Sequence, residues 1–217
     1  MKPNPLFDRY ENLVSAADRA FERMQRDYPN CISCAPQCAD CCHAVFGVFL
    51  IEAAYLRHHF VQLPKEIRTA ALTRSEDMDR EIETLQKRMK AFENDPDMKA
   101  YSLARERIRC PLLGENKECI LYPRRPITCR VYGIPTVIQG QARVCKESAF
   151  EAKKSYPAFD LDATYKELYL LSGELLGGSQ AAQAAEKASL LVSVSMAIRT
   201  PIEDIITEDF GRPGEDG

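Results

Sequence analysis

Cys34, Cys38, Cys41 and Cys42 fall within nine residues, with Cys31 just ahead of them and Cys110, Cys119, Cys129 and Cys145 following at wider spacing. Thiols at this density govern the backbone around them, because they must either pair or share a metal. Pairing fits poorly. The count of nine is odd, and adjacent Cys41 and Cys42 could join only through a strained ring. The amino terminus, Met1-Lys2-Pro3-Asn4-Pro5, runs into an amphipathic charged stretch with no apolar region and small-residue cleavage site, so export is not expected. In a reducing cytoplasm, the location this predicts, clustered cysteines are more often metal ligands than disulfides.

A thiolate reaches a metal at about 2.3 Å, so ligands two to four residues apart in a loop can wrap one ion or one cluster face at low entropic cost. Cys31-x2-Cys34, Cys34-x3-Cys38 and Cys38-x2-Cys41 all have that reach. Zinc and a [4Fe-4S] cluster each take four ligands, so eight thiols make two sites, or one site and spares. The spacing alone permits either metal.

The rest of the chain reads as scaffold. Phe7, Tyr10, Val14, Ala17, Phe21 and Met24 recur at helical spacing after an Asn4 cap, and this helix should end near Tyr28-Pro29. Residues 45–51 are apolar and partly β-branched, a short strand leading into a helix that runs to Phe60. Pro64 opens an amphipathic helix with Ile67, Ala71, Met78, Ile82, Leu85, Met89 and Phe92 on one side. Its charge run over 74–90 is either a partner surface or, more simply, a solvated face laced with i,i+4 pairs. This helix separates the two cysteine groups in sequence and can fold back to join them. From 110 to 145, Pro and Gly punctuate short β-prone pieces such as Val131-Tyr132 and Thr136-Val137-Ile138. Leu161, Tyr165, Leu168, Leu175 and Leu176 form a further helix stopped by Gly177-Gly178. Ser179 then caps a last helix running to about Thr200-Pro201, and the tail past Phe210 should be loose. The expected fold is mainly α: one domain over 1–217, a helical scaffold around an irregular cysteine-rich metal-binding core (31–145) with short β pieces, and a helical carboxy-terminal part (157–210).

With a net charge of -3 and both signs interleaved, the chain has no electropositive field for a phosphate backbone, so nucleic acid is not an expected partner. Residues 190–198, the longest weakly polar run, are less than half the roughly 20 residues of a membrane helix. The membrane is not an expected partner either.

In order, Cys34-x3-Cys38-x2-Cys41-Cys42, Cys110-Pro111-Leu112-Leu113, Cys119-Ile120-Leu121-Tyr122-x2-Arg125-Pro126-x2-Cys129-Arg130 and Cys145 resemble the YkgJ-type CxxCxxCC cysteine-cluster family. The resemblance covers about 34–145. The family spaces its first two cysteines by two residues, whereas Ala35, Pro36 and Gln37 intervene here, so either Cys31 or Cys34 is the first ligand. The resemblance implies zinc or iron chelation. A similar cluster in a flagellin lysine methylase, thought to hold a [4Fe-4S] centre, puts iron-sulfur (one or two [4Fe-4S] clusters) ahead of zinc. The expected metal ligands are Cys34, Cys38, Cys41, Cys42, Cys110, Cys119, Cys129 and Cys145. Arg125 and Arg130 are expected to offset the charge of an anionic cluster and to donate to its sulfurs, although Arg125-Pro126 could simply fix a turn beside an acid such as Glu118. His43 reads as a neighbour of the sulfurs rather than a ligand, and His58 and His59 as helix-end residues.

Cys34-x3-Cys38-x2-Cys41 is also the spacing of radical S-adenosylmethionine enzymes. The helical sequence after it, Asp40 in place of an aromatic, and Cys42 crowding the site all speak against that match. A dithiol redox enzyme lacks the strand-helix-strand unit that would present its pair. No phosphate loop, nucleophile elbow or HExxH motif occurs. The expected function is a redox or cluster-binding module. The alternatives are a structural zinc-binding interaction protein and an iron-sulfur enzyme that modifies a protein or peptide by methyl transfer. A protein redox partner or protein substrate is the expected partner, and no catalytic residue is assigned.

Overall fold

Apolar residues every three to four positions make α1 (Pro5–Asp27) a helix with one buried stripe, Tyr10, Val14, Ala17 and Met24. It stops because Pro29 pushes Tyr28 out of the helical region. This computed structural model describes residues 5–151, 153–177 and 181–207; the Asn4 and Ser179 caps and the tail past Phe210 lie outside them. After the first cysteine loop, β1 (Val48–Phe49) leads directly into α2 (Leu50–Phe60). Leu50, Ile51, Glu52, Ala53, Tyr55, Leu56 and Phe60 bury most of α2, the central helix, and its polar residues Arg57, His58 and His59 gather in the last turn, half-buried.

α3 (Lys65–Met89) follows Pro64, and α4 (Pro96–Arg105) is capped by Asp95, whose carboxylate accepts from the Met98 N–H at 2.9 Å. The proline-rich stretch after it holds α5 (Ile127–Val131), so Val131 ends a helix rather than opening a strand. The expected extended piece at 136–138 forms β2 (Thr136–Ile138), antiparallel to β3 (Gln141–Arg143) and parallel to β4 (Phe159–Asp160). Gln139 and Gly140 both take positive φ in the tight turn between β2 and β3. α6 (Leu161–Leu175) ends at Gly177, φ +74°, the left-handed stop that glycine permits.

The last predicted helix divides. α7 (Ala181–Ala188) gives way to β5 (Leu191–Val192), then α8 (Val194–Arg199) and α9 (Ile202–Thr207). Tertiary pairing overrides the helical pattern here: Val48 pairs with Val192 and Phe49 with Leu191, and Gly47 lies so close to Leu191 that an added Cβ would sit 2.6 Å from the Leu191 Cβ. Ser193 restarts the helix by accepting from the Met196 N–H at 3.0 Å.

α2 separates two cores. On one side Tyr10, Ile51, Ile127, Leu161 and Leu168 join α1, α5 and α6; on the other, Leu50, Leu56, Ala197, Ile198 and Ile205 meet Leu112 and Leu121. α3 closes a third, smaller cluster in which Met78, Leu85 and Met89 pack on Ile108. The fold is mainly α with few short strands, and no helix among the described residues is long and apolar enough to cross a membrane.

One buried carboxylate ties these layers to the cysteine region. Glu52 of α2 accepts from the Phe49 N–H at 3.2 Å, the Ile127 N–H at 3.0 Å and the Tyr10 hydroxyl at 3.4 Å. It thereby fixes the start of α5, the helix that carries Cys129. Burial pushes its pKa up to about 7, against the three donors and Arg130, which favour the charged form.

Candidate metal centre

Main-chain hydrogen bonds bring the separated thiols together. In the first loop the Cys38 N–H reaches Ala35 O at 2.9 Å across a turn in which Gln37 takes φ +69°. A single three-ten turn, Asp40–His43, then presents Cys41 and Cys42. The segment after α4 runs antiparallel beside it. Ala44 bridges Arg107, the Ile108 N–H donates to His43 O at 3.0 Å, and the Cys110 N–H to Cys42 O at 2.7 Å. Cys119 returns across Leu113, and the Ile120 N–H bonds Leu112 O at 2.9 Å. Cys110 and Cys119 both pack against the core that holds Leu112 and Leu121. The long α3 excursion thus folds back, as its place in sequence requires.

All nine cysteines are free thiols. Their electrostatics fall into two connected sets. Cys42 and Cys129 both feel Cys110 and Cys119 as well as Cys41, while Cys34 feels Cys38, Cys145 and Cys41. Cys41 belongs to both. Burial is the first cause of the upward shifts, to about 11 at Cys34 and Cys119 and about 12 at Cys110, with further rises at Cys129 and Cys145. Cys41 and Cys42 act on each other as adjacent thiols, and the interaction brings Cys41 down to about 7 and drives Cys42 far up.

Arg125 opposes those rises at Cys34, Cys119 and Cys129, and adds to the fall at Cys41. Its Nε donates to Tyr122 O at 3.0 Å and its guanidinium stacks 3.6 Å from the Tyr122 ring centroid, so a fixed cation faces the thiols. Glu118, the acid expected beside it, instead accepts from Asn116. Arg130, 6 % exposed, binds both oxygens of Asp18 at 2.9 and 2.7 Å and donates to Arg125 O at 2.8 Å and Pro123 O at 2.6 Å. It reaches the thiols through Arg125, whose carbonyl it holds.

Three features of the centre carry no signal in the spacing of cysteines. Gly133 makes room for Cys34, since a Cβ there would lie 2.2 Å from its sulfur. Asp40 accepts from the Cys145 thiol at 3.5 Å and is itself held by Arg107, with Lys146 at 3.8 Å. The Cys31 carbonyl accepts from the Ala149 N–H at 2.9 Å, which ties the start of the first loop to the segment after Cys145. His43 turns Nδ1 to Ala39 O at 2.9 Å, and His59 packs on the Tyr55 ring, where burial lowers its pKa to about 4.

Free thiols with a fixed guanidinium among the charges that act on them are chemically suited to a thiophilic metal. Among the described residues, no group of three or more His, Cys, Asp or Glu side chains is arranged to hold a metal ion as it stands. The model of the CxxCxxCC family, described as a "putative zinc- or iron-chelating domain", matches residues 33–155, more than half of the chain, beginning after Cys31 and ending past Cys145. No curated protein matches the chain, and no solved structure does.

Proposed function

The chain belongs to the CxxCxxCC family of metal-binding cysteine-cluster proteins, and on that premise we propose that it holds an iron-sulfur cluster and serves as a redox or cluster-binding module. The observation that supports this reading is that Cys41 acts on both Cys34 and Cys129, which links the two sets of thiols, with Arg125 acting on both. A lone tetrahedral ion needs four sulfurs within about 2.3 Å of one point. A connected set of eight suits one or two multinuclear [4Fe-4S] cores better. The ligands are Cys34, Cys38, Cys41, Cys42, Cys110, Cys119, Cys129 and Cys145.

When bound, the cluster supplies one-electron redox chemistry. The chain's own residues set its environment. Arg125 offsets the negative charge of the thiolates, and Arg130 keeps Arg125 in place by binding its carbonyl and Asp18. The raised thiol pKa values mean that metal binding must displace protons, several of them from half-buried sulfurs. Thiols that serve as metal ligands need a reducing compartment, which supports the cytoplasm as the proposed location, with a redox protein or protein substrate as the proposed partner.

The test is anaerobic purification followed by visible absorption and assays of iron, acid-labile sulfide and zinc. The expected result is a brown protein with sulfide close to stoichiometric with iron. A colourless protein that holds only zinc would overturn the cluster and leave a structural zinc-binding interaction protein. A change in the cluster's spectroscopic signal on adding S-adenosylmethionine would move the reading to a methyl-transferring enzyme.

A further inference from the structure

Between α3 and residues 106–109 lies a groove of about 550 Å³. Arg74, Arg80 and Arg88 stand on its α3 wall and Arg107 and Arg109 on the other, so five guanidiniums face three carboxylates. Ile108, packed on Met78, Leu85 and Met89, anchors the second wall to α3. Three of the arginines pair with carboxylates other than Glu115: Arg80 with Asp77, Arg88 with Glu106 at 2.7 Å, and Arg107 with Asp40.

The Arg74–Arg109 end differs. The Arg74 side chain is only 15 % exposed, held by its Nε bond to Pro111 O at 2.9 Å. Burial first, and the charge of Arg109 second, push its pKa down, while Glu115 opposes them. Glu115 is the carboxylate they share, 3.0 Å from Arg109 and 3.8 Å from Arg74, and its side chain is 82 % exposed. So exposed a partner is largely screened by water and held weakly. Glu115 therefore has the place of a bound oxyanion and little of the energy of a buried pair.

We propose that the Arg74–Arg109 end of the groove binds a small, multiply charged oxyanion, a phosphate or carboxylate compound, in place of Glu115. Guanidinium forks match two oxygens at once, and the volume is that of a small-molecule site. The site adjoins the metal centre through Arg109, which precedes Cys110, but the inference stands on the groove and does not rest on the identity of the metal.

The full chain, with the metal it carries when purified, is titrated by calorimetry with pyrophosphate and separately with citrate at about 0.15 M salt, where exposed charges more than roughly 8 Å apart are screened. One saturable site is expected for at least one probe. Pyrophosphate alone identifies a phosphate ligand, and citrate alone a carboxylate. Affinity falls about tenfold or more in Arg109→Gln, a loss of about 1.4 kcal/mol, and rises in Glu115→Gln, which removes the internal competitor. Arg23→Gln, on the outer face of α1, is unchanged. Absence of saturable heat with both probes would overturn the site. So would equal binding by all variants, or weaker binding by Glu115→Gln with its metal content and melting temperature unaltered.

Discussion

Replacing Gly133 with alanine tests the geometry of the centre with one methyl group. Gly133 has no positive φ to protect, so its need is steric alone. The new Cβ would sit 2.2 Å from the Cys34 sulfur and 3.3 Å from Phe21 Cε2. Ordinary contact for such atoms is about 3.5–4 Å, so the sulfur must retreat by roughly 1.5 Å. Ligand distances tolerate only about 0.2 Å, so a ligating Cys34 cannot make that move and stay bound. Overpacking of this kind costs about 1–3 kcal/mol. In Gly133→Ala we therefore expect an intact helical circular-dichroism spectrum, a lower urea midpoint, and metal affinity reduced by about 10–100-fold, as when a supporting residue of a metal site is lost. The double variant Cys34→Ala, Gly133→Ala should regain most of the lost stability relative to Gly133→Ala, because the clash has gone; the two changes are non-additive. Wild-type metal content and affinity in Gly133→Ala would refute the reasoning and remove Cys34 from the ligand set.

Other consequences follow from the same contacts. Glu52 has a folded pKa of about 7 against an ordinary 4.5, so the stability it contributes is complete below about 4.5 and lost as pH rises through 7, an effect of order 3 kcal/mol. Urea midpoints should fall across that range in the wild type and stay flat in Glu52→Gln. Arg125→Gln removes the cation that favours the thiolates at Cys34, Cys41, Cys119 and Cys129, so the pH midpoint of metal uptake should rise, measured by cobalt or zinc titration. Cys31→Ser should bind metal like the wild type, whereas Cys42→Ser should lose it, as read by metal content per chain.

Chain-local features were legible in the amino-acid order. The periodicity of α1, α3 and α6, the glycine that ends α6, and the metal-binding character of the thiols all depend on neighbours within a few residues, where spacing determines which groups can meet. Between residues far apart in sequence, only packing decides. The Cys110 N–H on Cys42 O, Gly133 vacating space for Cys34, Arg107 holding Asp40, and Arg130 given to Asp18 are contacts over long separations that no spacing encodes. The helical pattern after 181 likewise yields at Leu191–Val192, because pairing with Val48–Phe49 satisfies backbone groups that a continuous helix would have taken for itself. The order of residues thus specified which chemistry the chain carries, and tertiary packing decided which of the cysteine-bearing segments meet, because that depends on how buried faces fit rather than on how many residues lie between them.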